Sequence, residues 1–389
     1  MTSSRPTWAE ISLRALRKNF ETIQQIVGGN ASVCAVVKAN AYGHGAVECA
    51  RALGSAGAQW FGVTSTDEGL ELREAGIAGR ILLMTGFWRG DEPELIRARL
   101  TPAVWEGWHL EALQQAAKRG PDPVPVHLKV DTGMARLGVS MPELPNSLGR
   151  LRSASNLVLE GVFTHLASAE TSGAADVSAQ IKQFGQAIRL VEQGGFAPKY
   201  YHIANSAAIV TCPETWEIKR SQSNNLVRPG ISLYGYSLPL GSPGGKEKRS
   251  ATRAIEVEPV LSWKTRVISL RTVSTGQHVG YNGTYVAGRE SRLAVLPVGY
   301  ADGLNRMLSS RGRVIVRGKY APIVGRVSMD ITLVDVTDVP HTETGDEVLL
   351  IGASGDLSIT AWEHAQIAST IPYEILCNVS SRVPRLYVD

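Results

Sequence analysis

Cysteine is scarce in this 389-residue chain: Cys34, Cys49, Cys212 and Cys377 are the four, and no two form a CxxC pair. That excludes a zinc-ribbon or thioredoxin-type motif, and no metal site is expected. The four read as small buried hydrophobes in a reducing compartment. Net charge is also low, at +4, with no run of lysine or arginine. A nucleic-acid partner is therefore not expected. No uncharged apolar stretch reaches the roughly 18 residues of a membrane span. The N-terminus, MTSSRPTWAEISLRALRKNF, has no apolar core of signal-peptide length. The expected location is cytoplasmic. No GxGxxG follows the first apolar run, and there is no internal repeat or low-complexity segment.

What is present is a β/α rhythm. Apolar, β-prone runs recur at 32–37, 60–65, 80–85, 101–105, 124–130, 159–166, 200–205 and 226–234. Amphipathic helical patterns lie among them, at 13–27, 66–76 and 175–195. The second opens on a Thr/Asp cap and stops at Gly76; the third stops at two glycines. Eight strands in about 230 residues suit a (β/α)8 barrel. A doubly wound open sheet is the runner-up, weakened by the missing glycine fingerprint.

The pattern changes after Tyr236. Residues 237–254 are rich in Gly, Pro, Ser and charge, and read as a linker or long loop. Beyond it, runs at 260–273, 291–300, 312–327, 330–337 and 346–352 alternate and are rich in Val, Ile and Leu. They predict a small antiparallel β-domain interrupted by one helix at 360–370. The expected division is a barrel over 1–245 and a β-domain over 246–389, with roughly the first ten residues packing on the β-domain.

Function in a barrel gathers at the C-terminal ends of its strands. The first run ends in Lys38, within VCAVVKANAYGHGA. An unpaired ammonium at a buried strand end is costly. The fifth carries Lys129 and then Asp131–Arg136, the sixth ends in Thr164-His165, the seventh in Asn205-Ser206, and the eighth holds Arg228-Pro229-Gly230-Ile231. Packing requires none of these polar groups. Asn205-Ser206 alone would read as a helix cap. Beside Gly230-Ile231, in the loops after the seventh and eighth strands, a phosphate site is the better reading. A lysine together with a phosphate site points to pyridoxal 5'-phosphate (PLP), whose aldehyde condenses with an amine to a Schiff base.

With these residues in view the chain resembles the alanine racemases. The resemblance rests on AVVKANAYGHG (35–45), HLKVDTGMARLG (127–138), GVFTHLASAE (161–170), HIANSAA (202–208), VRPGISLYG (227–235), VGYNGTY (279–285), PVGYADG (297–303), PIVGRVSMD (322–330) and IPYEILCNVSSRVPR (371–385). Nine ordered motifs across two domains are highly specific.

The resemblance implies a PLP enzyme interconverting L- and D-alanine, with D-alanine destined for peptidoglycan. By matched position Lys38 is similar to the PLP-bearing lysine and one catalytic base, and Tyr281 to the second base. Tyr42, Ser206, Gly230, Ile231 and Tyr373 resemble phosphate contacts. His165 resembles the residue near the pyridine ring, and Arg228 the partner of its nitrogen. Arg136, Met329 and Asp330 resemble substrate-side residues. Lys129 matches a lysine that is carbamylated in many relatives, against the plainer reading of a salt-bridged lysine. A homodimer is implied, with Tyr281 and Met329 serving the partner's site.

Tyr300 and Asp302 read either as access-path residues or as turn residues. Three alternatives stay open. A barrel decarboxylase would place a carboxylate by the pyridine nitrogen, where Arg228 stands. A non-catalytic PLP-binding barrel would lack the β-domain and Tyr281. A racemase of other or broader specificity, for serine or lysine, is not separated by sequence.

Overall fold

A computed structural model describes residues 5–118, 120, 122–171, 174–218, 223–237 and 255–389. These form two compact units, one of residues 16–41 and 46–258, the other of 1–15, 42–45 and 259–389. The expected 245/246 boundary lies outside the described residues, as does the expected linker beyond Ser237.

The chain opens with strand β1 (Thr7–Ser12). The first large unit is a closed barrel of eight strands. They are β2 (Ala31–Val36), β3 (Trp60–Val63), β4 (Arg80–Leu83), β5 (Leu100–Val104), β6 (Val124–Lys129), β7 (Leu157–Phe163), β8 (Tyr200–His202) and β9 (Asn224–Val227). Every neighbouring pair is parallel, and β9 returns to β2 in the register Ala31↔Asn225 to Val33↔Val227. That closure rules out the open sheet. Strands β3 and β5 are buried throughout, as expected when helices cover the outside.

The helix Leu13–Val27 has the limits its periodicity predicts. The helix Thr66–Glu74 is capped by Ser65, whose side chain accepts from the Glu68 amide. The helix Ala175–Gln193 ends at Gly194-Gly195, with Gly195 left-handed at φ 75°. Several strands stop short of the predicted runs: 60–65 ends at Val63 and 80–85 at Leu83, and two stop short at the candidate site. The run at 200–205 stops at His202 and the run at 226–234 stops at Val227. The residues beyond leave the ladder for the turns that carry Ser206 and Gly230. Only an isolated bridge joins Asn205 to Arg228 there.

The second unit is mainly β. β1 pairs antiparallel with β10 (Leu261–Arg266) and parallel with the strand Arg385–Val388. Its alternating burial, with Thr7, Ala9 and Ile11 inward, is a period-two pattern the helix-first reading of the N-terminus passed over. The single run predicted over 260–273 splits. Leu261–Arg266 joins the larger sheet, and Ser269–Val273 joins a separate three-stranded one. Two helices, Ala361–Ala368 and Pro372–Cys377, replace the single one expected. Pro372 opens the second, where proline is tolerated. Cys34 and Cys49 are buried, but Cys212 is half-buried and Cys377 exposed, so the reading of all four as core residues fails for the last.

Candidate active site

The segment after β2 does something unusual with its backbone. Ala39, Asn40, Ala41 and Tyr42 all have positive φ, at 50°, 52°, 53° and 54°. Lys38 therefore starts a left-handed turn, closed by the Ala41 amide donating to Val37 O at 2.8 Å. Each non-glycine residue in that region costs roughly 1–2 kcal/mol. Lys38 itself is half-buried.

Lys129 ends β6 and is buried, 5.4 Å above the Phe163 ring. Burial, with Arg228, Arg136 and Lys38 nearby, lowers its pKa to about 8. His165 follows β7. Burial and the same cations, Arg228, Arg136, Lys129 and Lys38, drive its pKa down to about 3. His165 is thus a neutral imidazole. Arg136 stands beyond a turn built by Asp131, whose Oδ1 accepts from the Gly133, Met134 and Ala135 amides at 2.9, 3.0 and 3.2 Å. Lys38, Lys129, Arg136 and Arg228 form one field of positive charge, moderated at Lys129 by Asp131.

Ser206, after β8, is buried. Its Oγ accepts from the Gly230 amide at 2.8 Å and lies 3.1 Å from Ser232 Oγ. The Ser206 hydroxyl proton is left to donate elsewhere. Asn205, not Ser206, meets the start of the short helix Ala208–Thr211, its Oδ1 accepting from the Ala208 amide at 3.0 Å.

Arg228 is buried on every side. Its guanidinium donates to Thr164 O at 2.7 Å, Ile203 O at 3.0 Å and His202 Nδ1 at 2.8 Å. Burial lowers its pKa to about 10, which leaves it cationic at neutral pH. Arginine only donates, so His202 Nδ1 must accept and its proton sits on Nε2. That proton points at His127 Nδ1, 2.8 Å away. His127 then carries its own proton on Nε2, 3.6 Å from Glu160 Oε2. Glu160 in turn grips the Arg80 guanidinium with both oxygens, one at 2.7 Å. A hydrogen-bonded row runs through the barrel core from Arg228 through His202 to His127, whose Nε2 faces Glu160 Oε2 beyond hydrogen-bond reach, so that the protons point toward the carboxylate.

Comparison with known proteins decides the family. The profile of the alanine racemase N-terminal domain matches residues 11–238 and that of the C-terminal domain residues 260–387. The chain belongs to the alanine racemase family. Over 99% of its length it is 41% identical to alanine racemase of Halothermothrix orenii, covering 97% of that protein. Its fold matches a crystal structure of alanine racemase from D-cycloserine-producing Streptomyces lavendulae at a TM-score of 0.90 and 35% identity, over 100% and 98% of the two chains. It also matches Bartonella henselae alanine racemase with covalently bound pyridoxal phosphate, at a TM-score of 0.84 and 30% identity, over 98% and 99%. The chain is accordingly an amino-acid racemase by family.

The second unit carries the other residues that the alanine racemase motifs single out. Tyr281 sits on a short turn between Gly280 (φ 73°) and Asn282 (φ 59°), with 70% of its surface exposed. Met329 is 53% exposed. The Asp330 carboxylate is held by Arg382 at 2.6 Å. Tyr42 and Tyr373 lie together, ring centroids 5.8 Å apart. Burial, then Tyr373 and Cys377, raises the Tyr42 pKa, so it remains a neutral phenol able to donate. Asp302 resolves toward the structural reading. It is 1% exposed, accepts from Arg5 at 2.8 and 3.0 Å, and accepts the Gly299 amide at 2.9 Å. Gly299 itself admits no side chain, because a Cβ there would meet Ser328 and Met329 carbonyls. That close approach ties the GYADG turn to the segment bearing Met329. Among the described residues, no group of His, Cys, Asp or Glu could hold a metal ion, and no helix is long and apolar enough to cross a membrane.

Sequence reasoning missed His202, His127 and Glu160. One signal was available: His127 lies two residues before Lys129 on the same strand, hence on the same face. Glu160 gives a testable pH effect. Burial raises its pKa, but His127 and Arg80 outweigh burial and hold it at about 2. A carboxylate depressed in the folded state contributes stability above its unfolded pKa of roughly 4.3, and loses it as pH falls toward 2. Glu160→Gln should therefore flatten the acid limb of the stability curve in that window. At neutral pH it should cost about 1–3 kcal/mol, less than a fully buried pair because Arg80 is 38% exposed. Urea denaturation from neutral pH down to that window reads both effects.

Proposed function

We propose that this chain interconverts L- and D-alanine as a cytoplasmic homodimer, with pyridoxal 5'-phosphate held at Lys38, supplying D-alanine for peptidoglycan. The observation that carries this is the donor set around Lys38: clustered cations, a buried serine hydroxyl with a proton to give, and Arg228 aimed by Thr164 O, Ile203 O, His202 Nδ1 and, at 3.5 Å, His165 Nδ1. That set suits a dianionic, planar, nitrogen-containing ligand. Lys38 would hold the aldehyde carbon, and Ser206, Gly230, Ile231, Tyr42 and Tyr373 the phosphate. Arg228 would meet the ring nitrogen, with His165 near the ring. Bound there, PLP would supply an aldehyde for the substrate amine and a ring that delocalises the electron pair left when Cα loses its proton.

The chain's own residues do the rest. Racemisation removes a proton from one face of Cα and returns one to the other, so two bases on opposite faces serve it most simply. Lys38 Nζ holds the proton on one face and Tyr281 Oη on the other. Tyr281 and Met329 are surface residues of their unit, which leaves them available to the partner copy's site. Arg136, Met329 and Asp330 bind and orient the substrate.

Lys129 is suited to carbamylation. A pKa of about 8 leaves part of its amine neutral at neutral pH, the form that adds CO2 with loss of a proton. The product exchanges a cation for an anion among Arg228, Arg136 and Lys38.

Arg228 sets what the site does not do. A residue that can only donate keeps the ring nitrogen unprotonated, and the ring then draws less charge. Arg228→Glu should raise transamination relative to racemisation by roughly tenfold or more, the effect of about 1.4 kcal/mol. Pyruvate and D-alanine measured in one reaction check it; an unchanged ratio contradicts this role. The function itself is tested by offering L-alanine, L-serine and L-lysine to the PLP-loaded protein and following enantiomer formation. Alanine is expected to react with the highest kcat/KM.

A further inference from the structure

We infer that Glu68 is a positioning residue for Lys38, holding the left-handed turn that aims the lysine. This rests on the reading of Lys38 as the PLP lysine. Four consecutive non-glycine residues with positive φ persist only where their surroundings over-determine them. The surroundings here are specific. The Ala39 amide, next to Lys38, donates to Glu68 Oε1 at 2.7 Å. Glu68 Oε2 accepts from the Thr64 amide at 2.7 Å and from Thr64 Oγ1 at 3.0 Å. One carboxylate thus joins the start of the turn to the end of β3, the strand beside β2. The Val37 amide donates to Gly62 O at 2.9 Å, so Lys38 sits between a strand ladder on one side and the Glu68 clamp on the other. Asn40 fastens the far side, its Oδ1 accepting from the Ala46 amide at 2.7 Å.

The clamp needs a carboxylate. Three donors converge on two oxygens, and an ionised carboxylate offers acceptors only. In Glu68→Gln, the amide nitrogen must face either the Ala39 amide or the Thr64 donors. One anchor is then replaced by two opposed donors, and the turn is freed at one end. The helix that bears Glu68 has an independent cap in Ser65, which accepts from the Glu68 amide at 3.2 Å. Ser65→Ala therefore weakens the same helix, at the Glu68 amide, while leaving the Glu68 carboxylate and its three donors in place.

The test compares wild type, Glu68→Gln, Glu68→Asp and Ser65→Ala as full-length protein stripped of cofactor. The rate at which Lys38 condenses with added PLP, losing water, is read from visible absorbance and confirmed by borohydride trapping on the Lys38 peptide. Glu68→Gln should slow capture roughly tenfold and lower kcat roughly tenfold with KM nearly unchanged, as expected for a misaimed group. Glu68→Asp, which keeps the charge on a shorter arm, should fall between and serves if the glutamine variant does not fold. Ser65→Ala should lower the melting temperature while leaving capture unchanged. Equal capture by Glu68→Gln and Ser65→Ala overturns the inference alone. A wild-type chain that takes no PLP on Lys38 overturns both this inference and the functional reading beneath it.

Discussion

Lys38→Ala is expected to lower kcat/KM for L-alanine by roughly 10⁴-fold or more, the upper range for deleting a positioned proton-transfer group. The loss should appear in kcat rather than in folding. Lys38 is half-buried, and its removal takes one cation away from Lys129 instead of opening a core cavity. The left-handed turn is anchored through backbone amides at Ala39, Ala41 and Ala46, none of which depends on the lysine side chain. Melting temperature should therefore hold. Added methylamine should restore part of the rate, because a diffusible amine can occupy the space and move the proton. A structural collapse would not respond to amine. Rates with and without methylamine, beside a thermal melt, make the distinction.

Tyr281→Phe is expected to cost roughly 10³-fold in racemisation, and the loss should be one-sided. The Tyr281 ring is 70% exposed in its own unit, so removing the hydroxyl leaves no buried donor unmatched. The turn that carries it is set by Gly280 and Asn282 in left-handed conformations, and by His278 Nδ1 at 3.1 Å from Gly283 O. None of these involves the phenol. With Lys38 intact, one face of Cα keeps its base. One enantiomer of alanine should still exchange its α-proton with deuterated solvent, while the other exchanges slowly. Equal slowing for both enantiomers would contradict a base dedicated to one face.

Much of this architecture is legible in the sequence, for physical reasons that differ by element. The barrel strands are continuous apolar runs because both faces are covered, and their polar ends stand out against that background. Lys38, Lys129, His165, Ser206 and Arg228 could be picked from strand ends alone, and Lys38, Lys129, His165 and Arg228 share one electrostatic field. The row from Arg228 through His202 and His127 to Glu160 could not be picked so readily. Its histidines sit inside strands that read as core, and their partners lie on neighbouring strands distant in sequence. Glu68 hid for another reason. An acid in the first turn of a helix is adequately explained by the helix dipole. Its second task depends on Ala39–Tyr42 taking a left-handed course that Asn40 alone hints at before Gly43. In the second unit, β1 was obscured because a strong helical period begins directly after it at Leu13.

The most direct single measurement supplies L-alanine to the PLP-loaded protein in deuterated water, and follows both the D-enantiomer and the label at Cα. The account predicts D-alanine carrying solvent deuterium at Cα, with negligible pyruvate or carbon dioxide. Release of carbon dioxide, or α-exchange without any D-alanine, would contradict it.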